Sequence, residues 1–418
     1  MTDLVPTSPL QRGVWFNEQL AALGPAYTVA VTVDLRGRAD VDRLARACTL
    51  LARSHPLLTA ACRNLDGLPW LAVGAHPLVL DVAAVTGGTV RDRVDQAVRT
   101  RFDLSGGPLA RVRWFAVGAD HGVLVLAAHH LIVDGQSKEI LLHKLADHYR
   151  SDAATGPAAD PSPPGGVPAA PGYRTPSGGA VAAATEYWWR NPPRPVDLHP
   201  GGGPRPADTV VRALARRTRT RLAEAADEWG ATRFEVLLTV LLGCLARDDG
   251  PICVAIELSV RSPAEAGLTG MYVNELPLAV PTPPGGSFAA TLATVRARLR
   301  ELYAHRTVPL ATCRPGSRPF LATAPVSVSY RRIAPDPLFD GLTAEVDWSA
   351  GNGVARNDLH VVIADGDRTH VTFQFPSSPG ARHRADALID RFLAVLDRSL
   401  TAPQAALVRP SEVPPPWT

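Results

Sequence analysis

The residues best equipped for chemistry lie in VLVLAAHHLIVDGQSKEILLHKL, Val123 to Leu145, where an apolar run ends in adjacent histidines, His129 and His130. An acid and a glycine, Asp134 and Gly135, follow shortly after. Along a strand successive side chains point to opposite faces, so the two imidazoles cannot share one environment. One is expected to face the interior, satisfied by hydrogen bonds, and the other an opening. A neutral imidazole at a strand end can take a proton from an attacking nucleophile, since its unperturbed pKa is about 6.5. A glycine beside it lets a substrate approach the backbone closely. Asp134 and Gly135 read as a turn, and Ser137 as the N-cap of the helix KEILLHKLADHYR. A buried polar network would be enough to explain a lone histidine. The pair, the acid, the glycine and the capped helix together favour chemistry. Adjacent histidines on a strand chelate poorly, and no clustered cysteine or acid completes a set, so no metal site is expected.

The elements around this stretch alternate between helix and strand. DVDRLARACTLLARSH places Leu44, Cys48 and Leu51 at helical spacing behind an Asp40 N-cap. TRFEVLLTVLLGCLAR opens with Thr232 and has Glu235 three residues on, a capping-box pattern, and is apolar on most sides, which predicts a buried helix. VLVLAA, ICVAIEL, APVSVSY and LHVVIAD are short β-rich runs between helical segments. Two Pro/Gly/Ala-rich stretches, Asp152 to about Ala184 and Asn191 to Pro206, cannot hold regular structure for long. The aromatic cluster EYWWR between them reads as a docked segment. A lobe boundary is placed near Thr175.

The 418 residues, 46% hydrophobic and 20% charged, suit two or three domains or two large lobes. The 43 basic and 40 acidic residues nearly balance, and no dense Lys/Arg block indicates nucleic-acid binding, although the slight basic excess suits an acidic protein partner. The five cysteines are scattered in apolar surroundings without a C-x-x-C pair, which reads as reduced core thiols. No apolar run is long enough for a membrane span and the start has no secretory pattern, so a cytoplasmic protein is expected.

HHLIVDG resembles the His-His-x-x-x-Asp-Gly signature of the condensation domains of nonribosomal peptide synthetases, whose relatives share a fold like that of chloramphenicol acetyltransferase. The likeness extends along nearly the whole chain in the right order. SPLQRGVWF resembles the family's opening motif, and RSHPLLTAACR, less closely, its second. TRFDLSGGPLARVRWF looks like the stretch before the histidine strand. GATRFEVLLTVLLGCLARDDGPICVAIELSVR, GMYVNELPL, VSVSYRR and RNDLHVVIAD are similar to the later motifs.

The resemblance implies an α/β fold: two chloramphenicol acetyltransferase-like lobes in a V-shaped pseudodimer with a central substrate tunnel. Residues 1–175 would be the first lobe, with 152–184 as linker, and 176–418 the second. His130 would be the catalytic histidine, positioning the nucleophile or taking its proton, with His129 supporting the motif. Asp134 would pair with Arg261, the arginine closing ELSVR, and so hold the histidine loop. Gly135 would line the tunnel, and Ser137, Asn274, Ser329 and Tyr330 are further tunnel candidates.

Substrates would arrive on the phosphopantetheine arms of peptidyl or acyl carrier proteins, donor and acceptor, with no cofactor bound by the chain. No nucleic-acid or membrane partner is expected, and a monomer is. The reaction implied is amide formation from a thioester donor, in antibiotic or other secondary metabolism. The start at Met1, the Pro-rich tail and the lack of a carrier segment favour a free-standing enzyme over an excised domain.

Three features depart from the pattern. The YxDYAxW segment survives only as Tyr173 and Trp188, SYRR replaces SYQN at Ser329 to Arg332, and Glu257 stands where condensation domains carry a small residue or proline. Epimerisation domains carry a glutamate at that point and use it on an α-proton. Epimerisation therefore stays open, as do ester formation on a hydroxyl, a free or CoA-bound substrate, and a non-catalytic recruitment domain.

Overall fold

The computed structural model describes residues 3–20, 23–85, 88–151, 175–193, 196–197, 205–246, 251–283, 285–313 and 320–407. They fall into two compact units. The first comprises Met1–Thr175, Val260–Val273 and Ile333–Gly353, and the second Pro176–Ser259, Asn274–Arg332 and Val354–Thr418. A single cut near Thr175 thus leaves out two excursions in which the later chain packs with the first unit. Composition marks the Pro/Gly/Ala stretch but carries no trace of strand pairing between residues hundreds of positions apart. Most of both Pro-rich stretches, and Tyr173, lie outside the described residues.

In the first unit the histidine strand, His121–His129, is the middle strand of a five-stranded sheet. It runs antiparallel to Thr28–Arg36 on one side, with Thr28 opposite His129, and to Ala110–Gly118 on the other. Strand Thr343–Asp347 closes one edge beside Thr28–Arg36, and Leu80–Ala84 the other beside Ala110–Gly118. Gly122 through His129 are all buried, which is why the run is apolar throughout rather than alternating. Gly122 is required because the Trp114 ring occupies the space its Cβ would take. Helix Gly135–Arg150 packs on helix Val41–Ser54 and on strand Thr28–Arg36. Asp40 caps Val41–Ser54 as expected, its carboxylate accepting from the Arg43 amide.

The second unit is built on a seven-stranded mixed sheet. In spatial order its strands are Val273–Val280, Ile252–Ser259, Val326–Arg332, Leu359–Asp365, Thr369–Pro376, Arg205–Ala213 and Val354–Ala355. All four β-rich runs read from the sequence are strands. Helix Arg233–Leu245 packs against helices Arg216–Glu228, Phe288–Ala304 and Ala381–Thr401, so every residue from Val236 to Leu245 is buried. That is the reason for its nearly unbroken apolar surface. Thr232 and Glu235 form the capping box reciprocally. The EYWWR segment lies in helix Gly178–Arg190, with Trp188 buried and Trp189 77% exposed.

None of the five cysteines forms a disulfide. Burial pushes the thiols of Cys48 and Cys244 up to about 12 and that of Cys62 up to about 11. No described helix is long and apolar enough to cross a membrane.

Leu241 is completely buried in the central helix of the second unit. Leu241→Ala is expected to lower stability by ~2–5 kcal/mol, from lost burial and the cavity left behind. Urea unfolding would show it as a reduced midpoint, and an unchanged midpoint would mean the helix is not part of a close-packed core.

Candidate active site

His129 and His130 part company at the end of their strand. His129 is the last strand residue and is 3% exposed, whereas His130 begins the following turn and is half-buried. Backbone bonds hold both: the His129 amide donates to Leu109 O at 2.8 Å and the His130 amide to Tyr27 O at 2.8 Å. The ring of His129 is fully engaged. Its Nδ1 accepts from the Leu131 amide at 3.1 Å, so the proton of the neutral ring sits on Nε2, which lies 3.6 Å from Glu18 Oε1. Burial holds its pKa below the ordinary histidine value, with Glu18 opposing that shift. Tyr27 and Phe102 flank the ring at 6.1 Å each.

His130 is different. Its Nδ1 is buried and has no hydrogen-bond partner among the described residues, and Tyr27 meets the ring edge-on at 6.4 Å. The end of the strand therefore separates a buried histidine with both ring nitrogens engaged from a half-buried one whose Nδ1 no described residue bonds.

The loop carrying His130 is held at both ends. Gln11, 1% exposed, donates from Nε2 to Leu131 O at 2.5 Å, while its Oε1 accepts from the Ser8 amide at 2.7 Å. Ser8 Oγ in turn accepts from the Gln11 amide at 3.2 Å. This is a capping box at the start of helix Pro9–Leu20, turned to a second use.

At the other end stands Asp134, which is fully buried. Arg261 grips it with both guanidinium nitrogens, Nη1 to Oδ2 at 2.5 Å and Nη2 to Oδ1 at 2.9 Å. The Ser137 and Tyr272 amides add bonds of 2.8 and 3.1 Å. Burial alone would raise the Asp134 carboxyl; Arg261 and Ser137 outweigh it and hold the pKa below the ordinary value. The Arg261 guanidinium also lies over the Tyr272 ring, 4.3 Å from its centroid.

Asp134, not Ser137, is the N-cap, and the helix begins at Gly135. Ser137 Oγ instead lies 2.8 Å from Asp134 Oδ1 and 2.9 Å from Gly270 O, and accepts from Arg261 Nη2 and the Gly270 amide at 3.0 Å each. With 0% exposure it belongs to this network rather than to a surface substrates could touch. Sequence reasoning placed the cap on the residue type and overlooked that an aspartate three positions earlier caps equally well. Gly135 is the first residue of the helix and half-buried.

The remaining candidates belong to the second unit. Asn274, 4% exposed, donates from Nδ2 to Arg306 O at 2.8 Å and Val308 O at 3.0 Å, so its amide ties down the turn after helix Phe288–Ala304. Tyr330 donates to Asp365 Oδ2 at 2.6 Å, and burial followed by Asp365 pushes its phenol well above the ordinary range. Arg233 pairs with the same Asp365 at 3.2 Å. Ser329 is buried in the strand opposite Val362. Of the two cations in SYRR, Arg332 is exposed and Arg331 half-buried. Glu257 Oε1 lies 3.9 Å from His360 Nε2, and His360 Nδ1 is 2.6 Å from Ser327 Oγ. Sequence reasoning missed Glu18 and Tyr27, and gave His360 and Gly270–Tyr272 no role beyond the motifs that contain them. The Ser8–Gln11 pair, also quoted only as part of a motif, left a further readable signal in its S-x-x-Q spacing.

The model of the condensation domain family matches residues 1–414. The chain belongs to the condensation-domain family. Condensation domains are amide-forming acyltransferases of nonribosomal peptide synthetases. The chain is 27% identical over 440 residues to the probable non-canonical nonribosomal peptide synthetase CymA of Salinispora arenicola, an alignment that takes in 97% of this chain and 6% of CymA. It therefore spans only a small part of that relative's length. Among solved structures, the first condensation domain of the calcium-dependent antibiotic synthetase superimposes with a TM-score of 0.76 at 21% identity, covering 99% of both chains. The X-domain from teicoplanin biosynthesis gives 0.75 at 19%, covering 99% of this chain and 98% of that one. These likenesses establish the α/β, chloramphenicol acetyltransferase-like fold of this condensation domain.

Two outcomes are expected of the histidine loop. Asp134→Ala leaves the Arg261 charge buried without its partner and should cost ~3–5 kcal/mol, whereas Asp134→Leu with Arg261→Met should cost far less. A double-mutant cycle by chemical unfolding measures the coupling, and simple additivity would show that the two do not act as a pair. His129 and His360 are both held neutral by burial, with pKa values below the unfolded 6.5. The unfolded chain then takes up protons that the folded one does not, so stability falls as pH drops through 6.5, by at most about 1.4 kcal/mol per pH unit for each group. His129→Gln should flatten that slope in unfolding curves between pH 7 and 5. An unaltered slope would mean His129 is not the titrating group.

Proposed function

We propose that this condensation domain joins an acyl or aminoacyl group, held as a thioester on a carrier protein, to the amine of an acceptor. The observation that carries the reading is the contrast between the two histidines: one spent on hydrogen bonds, the other with a free nitrogen in a loop fastened by Gln11 and Asp134. In the reaction the acceptor amine attacks the thioester carbonyl and a C–N bond forms. The tetrahedral intermediate collapses, the C–S bond breaks, and pantetheine thiolate leaves. The proton lost from the attacking nitrogen passes to His130 and from there to the thiolate, so amide and thiol are the products. Proton transfer of this kind contributes ~10²–10⁴-fold, and confining both substrates contributes further.

Gly135, adjoining the loop, would let the phosphopantetheine arm pass close to the backbone. The chain would need no cofactor of its own and would act as a monomer with carrier proteins as partners. That reading draws on the synthetases among its relatives. An alcohol could replace the amine without change to the imidazole chemistry, giving an ester, and the donor could be free or bound to CoA.

A second reading is favoured by one observation. The Glu257 carboxyl lies 3.9 Å from the half-buried His360, which is itself backed by Ser327. A carboxylate paired with an imidazole is a group type that suits proton exchange at carbon, the chemistry of epimerisation. The recruitment reading is weaker, because the histidine motif is intact here and a shared fold with an X-domain does not decide function.

Intact-mass measurement of a loaded carrier protein, incubated in deuterated buffer with amine and alcohol acceptors, separates these readings. Acyl transfer that drops ~10²–10⁴-fold in a folded His130→Ala variant is the expected result, in line with the loss of a proton-transfer group. Near-wild-type transfer would remove His130 from the chemistry. Deuterium gained at the α-carbon without transfer, and lost in Glu257→Gln, would make epimerisation the activity.

A further inference from the structure

The helix Arg216–Glu228 carries its charges the wrong way round. Its sequence, RRTRTRLAEAADE, puts four arginines, Arg216, Arg217, Arg219 and Arg221, in the first two turns and Glu224, Asp227 and Glu228 in the last. The aligned peptide dipoles leave positive potential at a helix N-terminus and negative at its C-terminus, so both groups stand at the end that repels them. The capping position is Ala215, whose side chain makes no cap hydrogen bond, and the first turn carries no acid of its own; Asp397, which accepts from Thr218 Oγ1 at 2.9 Å, is the carboxylate that meets it.

Elsewhere comparable arginines are neutralised within the fold. Arg43 pairs with Asp340, Arg113 with Asp81, Arg205 with Asp358 and Arg212 with Asp386. None of the four helix arginines has an ion-pair or hydrogen-bond partner for its guanidinium among the described residues. The helix buries Thr218, Leu222, Ala225 and Ala226, while Arg216 and Arg217 are exposed and Arg219 and Arg221 half-buried on its flanks. Leu214, just before the helix, donates its amide to Thr369 O at 2.8 Å, which joins the helix start to the turn bearing the exposed Asp367 and Arg368.

A cluster that costs local stability and has no guanidinium partner among the described residues is the kind of local conflict that function explains. We propose that the arginine face of helix Arg216–Glu228 is a docking surface for the acidic face of a carrier protein. This rests on the reading that the thioester donor or acceptor arrives on such a protein. The surface would act by attraction at a distance, since exposed charges of one sign raise encounter rates while contributing little to close packing. The acids at the far end of the helix would repel the same partner and so set its orientation.

The test compares wild-type protein with a variant bearing Arg216→Gln, Arg217→Gln, Arg219→Gln and Arg221→Gln. Binding of a fluorescently labelled, acidic apo-acyl carrier protein is followed by anisotropy at low and high salt. Transfer is measured from one acyl group presented on that carrier and as an N-acetylcysteamine thioester. The expected result is binding weakened by ~10-fold or more in the variant at low salt, the range over which one-sign fields act. The gap between the two proteins should close at high salt, kcat/KM should fall for the carrier-bound donor alone, and the thermal midpoint should be unchanged or raised. Binding indifferent to the arginines, or an equal loss on both donors, would overturn the proposal. So would arginine-dependent binding to a DNA duplex or to phosphatidylserine vesicles with none to the carrier. Arginine-dependent binding without transfer from either donor would leave this surface standing and remove the proposed reaction. Transfer from both donors with indifferent binding would do the reverse.

Discussion

Five donor groups converge on the buried carboxylate of Asp134: two nitrogens of Arg261, the amide and hydroxyl of Ser137, and the amide of Tyr272. Arg261 stands 127 residues further along the chain, so this cluster draws a distant segment onto the histidine loop. The geometry of His130 depends on it, because Asp134 also starts the helix that follows the loop. A buried ion pair is not in itself a strong source of stability, since desolvation consumes most of the attraction. Its bidentate geometry fixes direction, however, and direction is what a proton-transferring imidazole needs. Gln11 does the same for the near side of the loop with a neutral amide, which avoids the desolvation of a second charge.

Between these two anchors, adjacent histidines acquire opposite characters from backbone alternation and from the end of the strand that falls between them. His129 turns inward, where the Leu131 amide and Glu18 fix its tautomer and burial keeps it neutral. His130 steps out of the strand into the turn and keeps a nitrogen uncommitted. The inner ring supports the loop backbone, and the outer one has a ring nitrogen that no described residue bonds. A change of strand register by one residue would exchange these roles, so the pairing of Thr28 with His129 matters as much as the histidines themselves.

In the second unit, polar side chains that the motifs single out are engaged within the sheet and its turns. Asn274 holds a turn, and Tyr330 shares Asp365 with Arg233. Glu257 faces His360. Motif residues can thus serve architecture, because a buried polar group left without its hydrogen bonds costs ~1–3 kcal/mol. The arginine helix is the opposite case, with four guanidinium groups that have no ion-pair or hydrogen-bond partner among the described residues.

The sequence by itself determined the elements and singled out the histidine loop as the candidate site. The continuous apolar run predicted a strand buried on both faces, Asp40 and Thr232 announced their helices, and alternation foretold that the two histidines must differ. Such features depend on neighbours within a few positions, where backbone geometry leaves little choice. Only the tertiary structure decided which side chains meet. It moved the cap from Ser137 to Asp134, brought Glu18 to His129 and His360 to Glu257, and assigned Val260–Val273 and Ile333–Gly353 to the first unit. Those contacts join residues far apart in the chain, and their pairing follows from the packing of whole sheets and helices, which local spacing does not encode.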